Sequence, residues 1–321
     1  MTNNIIIAVF ILCIGQAALS QTTEKEKDLR GIVADSANGW KRGGVIGINF
    51  SQASFNNWAA GGENSLALNS LLSVFDNYRH GTSLWDNTLD LGYGFSQQGN
   101  KGLIKTDDKI DISSKYGRVA SKTWNYAGLL NLKSQFTPGY KGPGNTIKIS
   151  DFLSPAYVLL AIGMDYKPNE HVTAFIAPVT DKTTIVNNST LADAGAFGVD
   201  KATYDTTGTL FSHGKKTRSE FGGYVKMVYQ NTFFKDKSVS LLTKLDMFSN
   251  YLNNPLNIDV NWETIIGFKV NKYITATITT NLVYDDDIMI DYDANGDGIA
   301  DTSGPRTQFK EVLAIGFNYK F

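Results

Sequence analysis

The chain closes with the sequence EVLAIGFNYKF, residues 311–321, in which apolar and polar side chains alternate. The odd-numbered residues from Leu313 to Phe321 are all apolar, and they share one face of an extended strand because successive side chains in a strand point to opposite sides. The ends of a domain usually fray, so a strand that is ordered to its last residue must be paired with another strand. Its apolar face then meets either a protein core or lipid.

Alternation of this kind recurs from Val45 onward and is clearest in NIDVNWETIIGFKV, residues 257–270. Each alternating segment has roughly ten residues or more, which exceeds the ~5–6 residues of strands in soluble sheets and matches a tilted strand that crosses a bilayer. The pattern predicts about twelve strands, at 44–54, 64–77, 83–97, 106–117, 123–137, 153–167, 171–181, 216–232, 238–250, 256–270, 273–286 and 307–321.

The length of each connection depends on whether the segment before it is even- or odd-numbered. Those after even-numbered segments are short, whereas several after odd-numbered segments are long; the long ones are predicted at 98–105, 138–152, 182–215 and 287–306, and those near 55–63 and 251–255 are shorter exceptions. Outer-membrane barrels have short periplasmic turns and longer outer loops, and an even strand number places both termini on the periplasmic side.

Alternation alone would also fit a soluble sandwich. Strand length, the parity of the connections, the predicted signal peptide described below and the aromatic carboxyl terminus favour an all-β, antiparallel transmembrane β-barrel of about twelve strands in the outer membrane of a Gram-negative bacterium. Such a sheet must close, because an unpaired edge is not tolerated in hydrocarbon. The strand that ends at Phe321 is therefore predicted to pair with the first strand near Val45 and to face lipid.

The amino terminus has the features of an exported protein. Residues 5–14 form an unbroken apolar run, followed by an Ala18-x-Ser20 site, which predicts a cleaved signal peptide. A lipoprotein anchor at Cys13 is the alternative, but the preceding residues lack the small side chain that a lipobox needs. We predict a signal peptide over 1–20, a periplasmic tail over 21–43 and a barrel over 44–321. Cleavage would leave no cysteine, since Cys13 is the only one.

The predicted inward faces carry charges of both signs in nearly equal number, and over the whole chain there are 30 Lys and Arg and 31 Asp and Glu. No basic surface argues for nucleic acid. The inward faces carry Asp90, Asp111, Lys115, Lys133, Asp165, Glu220, Lys226, Lys244, Asp246, Asp259, Glu263 and Lys269. These charges indicate either a narrow polar pore or a lumen that is filled by mutually paired side chains.

The functional prediction is a narrow passive channel for small polar solutes. The alternative is a non-conducting structural or accessory subunit of an outer-membrane complex. The expected partners are outer-membrane lipid, the assembly machinery that inserts barrels, and possible outer-membrane proteins.

No enzyme activity is predicted from the three histidines. His80 and His171 fall in predicted inner turns, on the wrong side for an outer-rim hydrolase, and His213 lies in a long outer loop near Ser212 and Ser219 with nothing to fix its neighbours.

Four stretches resemble an uncharacterised family of exported β-barrel proteins from Bacteroidetes-type outer membranes, a domain of unknown function. They are NFSQASFNNWAAGGENS at 49–65, LADAGAFGVD at 191–200, KTRSEFGGYVKMVY at 216–229 and GPRTQFKEVLAIGFNYKF at 304–321. The resemblance covers about residues 35–321. It implies the fold and the location and no particular chemistry.

The last outer loop contains DYDANGDGIAD, residues 291–301. This spacing of hard oxygens around a glycine suits Ca²⁺ and is similar to the short calcium loops of thrombospondin type-3 repeats; the candidate ligands are Asp291, Asp293, Asn295, Asp297 and Asp301. The other interpretation is a soluble Asp/Asn/Gly turn. Calcium would stiffen the loop rather than act in catalysis.

The predicted loop 182–215 is too long for a simple connection and is rich in apolar residues. Three interpretations stay open: a constriction folded into the barrel mouth, a surface for a partner, and a self-packed cap.

The calcium prediction can be tested by replacing Asp293 and Asp297 with Ala. If the loop binds Ca²⁺, the parent protein gains thermal stability on calcium addition and the double variant loses that gain. If calcium does not change the melting temperature of the parent protein, the loop is a soluble Asp/Asn/Gly turn and not a calcium site.

Overall fold

A computed structural model describes residues 38–54, 63–271, 274–295 and 301–320. Twelve long strands make up its main sheet: β1 (Gly39–Ala53), β2 (Ser65–His80), β3 (Ser83–Gln98), β4 (Lys101–Val119), β5 (Trp124–Ser134), β6 (Ala156–Tyr166), β7 (Val172–Ile185), β8 (Thr217–Phe233), β9 (Val239–Asn250), β10 (Ile258–Lys269), β11 (Ile274–Tyr284) and β12 (Gln308–Lys320). Among these residues no helix has the length and apolar character needed to cross a bilayer.

The twelve strands form a closed barrel in which each strand is antiparallel to its neighbours in the chain. The ring closes where β1 pairs with β12, with Val45 opposite Lys320 and Ile48 opposite Phe317. This closure confirms the predicted fold and the predicted partner of the last strand. Phe321 itself lies outside the described residues.

The exterior of the barrel is apolar. On β12, Leu313, Ile315 and Phe317 are each more than half exposed, whereas Val312, which precedes them, is 5% exposed and faces inward. Large apolar side chains are likewise exposed around the ring, at Ile46, Ile48, Phe50, Leu130, Leu160, Ile162, Ile176, Phe221, Met227 and Trp262. A band of this size has no place on a protein surrounded by water. It fits a barrel whose outer face contacts hydrocarbon.

The connections place short links at one end of the barrel, here called the turn end, and longer ones at the other, the loop end. The structure departs from the prediction in one connection: β3 and β4 are joined by a tight turn at residues 99–100, so the long connection predicted at 98–105 is wrong. The backbone pairs up to Gln98 and Lys101, and register shifts within this hairpin blur the alternation that marks a strand in the sequence.

Two further strand boundaries differ from the sequence pattern by four residues or more. β1 begins at Gly39 rather than 44, so part of the predicted tail belongs to the barrel. β7 continues to Ile185 instead of ending at 181. A register shift of β7 against β6 and β8 lies near Pro178, which lacks the N–H that a ladder needs, and it moves the next residues to the opposite face. The predicted signal peptide lies outside the described residues.

The long connection between β7 and β8, residues 186–216, packs on itself. Its short helix α1 (Ser189–Asp193) is capped by Asn188, whose side chain accepts from the N–H of Leu191. Val186, Leu191, Ala192 and Val199 bury one another in a small apolar cluster. Of the three interpretations of this loop, the described residues favour the self-packed cap.

At Gly163 on β6 the neighbouring strand β7 approaches too closely for a side chain. Gly163 lies at the register shift between β6 and β7, and a Cβ there would overlap the carbonyl oxygen of Ile176. Gly163→Ala should therefore destabilise the barrel by about 1–3 kcal/mol. The measurement is the temperature at which the detergent-solubilised protein loses its heat-modifiable gel mobility. Gly142→Ala is the control, because a Cβ at Gly142 meets nothing within 4 Å.

Candidate functional site in the barrel lumen

The lumen near the turn end holds an ion network built from four strands and one turn. The Asp165 carboxylate on β6 lies 2.8 Å from Lys115 Nζ on β4 and 3.0 Å from Lys167 Nζ in the following turn. Asp86 on β3 contacts Arg79 on β2 and lies 3.6 Å from Lys167. The Asp165 side chain is only 3% exposed, so these charges are held against each other in a confined space. We call these five residues the turn-end network.

On the opposite side of the ring, three uncharged side chains are fully buried. Leu242, Ile265 and Thr277 face inward from β9, β10 and β11, and each is at most 1% exposed. Such burial requires that side chains from the rest of the ring close over them. The lumen in its turn-end half is therefore filled largely by protein atoms.

The middle of the lumen is organised around Asp246 on β9. Its carboxylate accepts a 2.5 Å hydrogen bond from the Tyr224 hydroxyl and lies 3.6 Å from Lys226 Nζ and 3.9 Å from Lys133 Nζ. These groups come from β5, β8 and β9, so the contacts reach across the interior. One carboxylate thus holds two ammonium groups in place.

Further pairs complete this middle layer. Lys244 Nζ lies 3.1 Å from Glu263, Asn131 donates a 2.7 Å bond to Asp111, and the Ser73 hydroxyl donates a 2.5 Å bond to Asp90. Charges of both signs therefore line the middle of the lumen.

Two cavities occupy the part of the lumen above the packed layer. The middle cavity has a volume of about 350 Å³, and the loop-end cavity has about 220 Å³. Lys133, Asp246 and Asn261 line both cavities, so the two adjoin along the barrel axis. The lumen is thus roomy towards the loop end and tight towards the turn end.

The predicted inward charges occupy distinct levels of this lumen. Asp90, Asp111, Lys133, Lys226, Lys244, Asp246 and Glu263 line the middle cavity. Asp259 lines the loop-end cavity, Glu220 lies beside Arg218, and Lys115 belongs to the turn-end network. Lys269 continues the inward row of β10 but ends it in an exposed position. What each charge does to a solute stays a prediction.

The sequence pattern missed several charged residues of the lumen. Those that line the middle cavity are Asp107, Asp108, Lys109 and Lys310. The others are Arg79, Asp86, Lys167, Lys182 and Arg218. Arg79, Asp86 and Lys167 lie at strand ends, where alternation gives the least guidance. The alternation predicts Lys182 in a loop because the register shift in β7 interrupts the period. Arg218 lies at the start of β8, whose inward row the alternation indicates only from Glu220 onward.

The histidines form no catalytic group among the described residues. His80 and His171 lie at the turn end. His213 Nδ1 lies 3.0 Å from Asp193 in the cap, but the Ser212 hydroxyl donates to the His213 carbonyl oxygen and not to the ring. The N–H of Gly214, and then the His213 ring, hold the pKa of Asp193 below its usual range. This contact fastens the cap.

The predicted calcium loop is described only in part. Asp293 accepts a 3.1 Å bond from the N–H of Asn295, and Asp301 accepts a 2.9 Å bond from the N–H of Ala294. Asp297 lies outside the described residues, and the Asp291 side chain is not described. The N–H of Ala294 holds the pKa of Asp301 below its usual range. Calcium binding by this loop stays a prediction.

A comparison with protein families agrees with the resemblance to a family of unknown function. The model of a family described as a protein of unknown function (DUF3078) matches residues 50–140. The resemblance to a family of unknown function is thereby confirmed for that part of the chain. No curated protein sequence matches.

Three solved structures are similar at low levels. An outer-membrane channel from Pseudomonas putida F1 shares 10% identity over 91% of this chain and 98% of its own, with a TM-score of 0.39. The translocator domain of the autotransporter NalP from Neisseria meningitidis shares 10% over 92% of each chain, with a TM-score of 0.35. The NanC porin shares 9% over 86% of this chain and 98% of its own, with a TM-score of 0.33. Likenesses this weak carry no conclusion about what the chain conducts or binds.

Asp165 is the residue whose loss should cost the lumen most. Asp165→Ala leaves two ammonium groups confined without their shared carboxylate, and removing one partner of a buried pair typically destabilises a protein by about 3–5 kcal/mol. The readout is again the temperature of the gel-mobility transition. Asp200→Ala serves as the control, because the Asp200–Lys215 pair is 70% exposed on both sides and should leave the transition almost unchanged.

Proposed function

We propose that the chain is an outer-membrane β-barrel of a Bacteroidetes-type Gram-negative bacterium and acts as a narrow passive channel for small polar solutes. The observation that carries the proposal is the pair of adjoining cavities, which open the lumen from the loop end to its middle. Their walls present both signs of charge and amide and hydroxyl groups. Such walls can replace the hydrogen bonds that a small polar solute loses when it leaves water.

The lumen of a twelve-stranded barrel is narrow compared with that of a large porin. A solute therefore passes in contact with the wall, and groups such as Asp246 and Lys244 act on it directly. The lumen charges beneath the cap over 186–216 would determine which solutes enter. Outer-membrane lipid is the expected solvent of the apolar exterior, and the barrel assembly machinery is the expected partner during insertion.

A second candidate is a non-conducting structural or accessory subunit of an outer-membrane complex. It is favoured by the packed turn-end layer, where Leu242, Ile265 and Thr277 are fully buried. In that case the lumen is a cup that opens only at the loop end, and the working surfaces are the loops and the barrel wall. The two candidates differ in whether water passes the packed layer.

Thr279 and Thr280 on β11 give a matched test. Thr279 lines the middle cavity, whereas Thr280 is the next residue and points to the exterior. Each is replaced by Cys in the chain that starts at Gln21, which has no other cysteine. Single-channel conductance is then recorded in planar bilayers before and after a charged, water-soluble thiol reagent is added. If the lumen conducts, steady current steps should fall by roughly half or more in Thr279→Cys and not change in Thr280→Cys.

The outcomes separate the two candidates. Conductance that the reagent reduces only at Thr279→Cys supports the channel. A protein that is silent in the bilayer, while Thr279→Cys still reacts from the loop side, is a closed cup and supports the accessory subunit. Equal reaction of both cysteines would contradict the assignment of inside and outside on β11.

A further inference from the structure

Lys182 lines the loop-end cavity, and its ammonium group lies beside three carboxylates. Its Nζ lies 2.6 Å from Asp259 on β10, 3.7 Å from Glu220 on β8 and 3.7 Å from Asp285, which begins the last long connection. The Lys182 side chain is 13% exposed. Three segments that are distant in sequence therefore converge on one cation.

The walls around this ammonium are suited to a cation. The ring centre of Phe248 lies 5.1 Å from Lys182 Nζ, within the range of a cation–π interaction. Carboxylate oxygens of Asp259, Asp285 and Asp286 all lie within 4.8 Å of one another, as ligands of one ion would. The ammonium group is thus surrounded by the kind of groups that hold a free cation.

The loop-end mouth carries more acid than base. Five carboxylates, here called the mouth carboxylates, meet at this level: Glu220, Asp259, Asp285, Asp286 and Asp287. The cations that contact them are Lys182 and Arg218, and Arg218 lies 2.7 Å from Asp287 and 3.1 Å from Glu220. Asn257 donates a 2.6 Å bond to Asp286 but brings no charge. Without Lys182, Arg218 would be the one cation among the described contacts of five carboxylates.

We propose that Lys182 determines the charge preference of the loop-end mouth, because its ammonium is a fixed counter-ion in a carboxylate site that otherwise takes a free cation. A mobile cation that enters from the loop end meets a site already filled by Lys182. The native lumen accordingly has little preference for cations despite its acidic mouth. The consequence for conductance rests on the channel function proposed above, whereas the consequence for cation binding does not.

The first test measures ion selectivity across a planar bilayer with unequal KCl on its two sides. Lys182→Met should shift the reversal potential towards that of potassium, with a potassium-to-chloride permeability ratio that rises roughly threefold or more, and the shift should shrink near 1 M salt, where charges are screened. Lys215→Met is the matched control. It removes the same charge from an exposed pair with Asp200 outside the lumen and should leave the reversal potential unchanged.

The second test reads cation binding directly, in the Asp293→Ala background so that the loop over 291–301 does not contribute. Titration calorimetry with CaCl₂ should show binding to Lys182→Met and none to the native-Lys182 or Lys215→Met proteins. Adding Asp285→Asn to Lys182→Met should weaken that binding at least about tenfold, because one carboxylate ligand is lost.

These outcomes separate the inference from the channel proposal. If every variant is silent in the bilayer while Lys182→Met gains Ca²⁺ binding, the channel fails and the assignment of Lys182 stands. If Lys182→Met behaves as Lys215→Met in both tests, the assignment of Lys182 is overturned. Should Lys182→Met fail to fold, Asp285→Asn alone decides, since one carboxylate fewer beside Lys182 makes the mouth less negative and must move the reversal potential towards that of chloride; no movement overturns the assignment.

Discussion

Every other feature of this protein depends on closure of the backbone hydrogen-bond ladder into a ring. A strand that faces hydrocarbon cannot leave an N–H or a carbonyl unpaired at its edge, because lipid offers no replacement partner. The contact of β1 with β12 removes both edges at once. Closure also fixes the directions of the side chains. One row of each strand must then face lipid and be apolar, and the other must share a narrow interior.

That interior brings together charges that the sequence keeps far apart. Lys115 meets Asp165 across β5, and Lys182 meets Asp259 from strands that are three places apart in the ring. In a confined space of low dielectric, an unpaired charge is costly, so the ion pairs hold the wall in one arrangement. Cavities remain only where side chains from opposite sides of the barrel do not meet. This is the case in the middle of the lumen and at its loop end. The packing of the wall and the position of the cavities are therefore set by the same side chains.

The barrel could be predicted from the sequence because the two-residue period of a strand is a local property. It can be recognised from neighbouring residues without knowledge of the rest of the fold. All twelve predicted segments correspond to strands, and Leu313 and Ile315 face outward as their alternation requires. The prediction was wrong where the period changes. The register shift near Pro178 places Lys182 in the lumen, whereas the alternation predicts it in a loop. Inward charges could be named, but not their partners, because pairing depends on strand order and height. Whether a water path passes Leu242 depends on how side chains from several strands fill one layer, and no local pattern encodes that.

The short joint between β1 and β12 has a mechanical consequence. Among the described residues this joint has four paired positions, against fifteen between β1 and β2 and ten between β11 and β12. A ring under lateral pressure deforms first at its most compliant point, since fewer hydrogen bonds there resist separation of the strands. Changes in bilayer thickness or lateral tension should therefore alter the cross-section of this barrel by moving β1 and β12 relative to each other, while the ten remaining strands keep their shape.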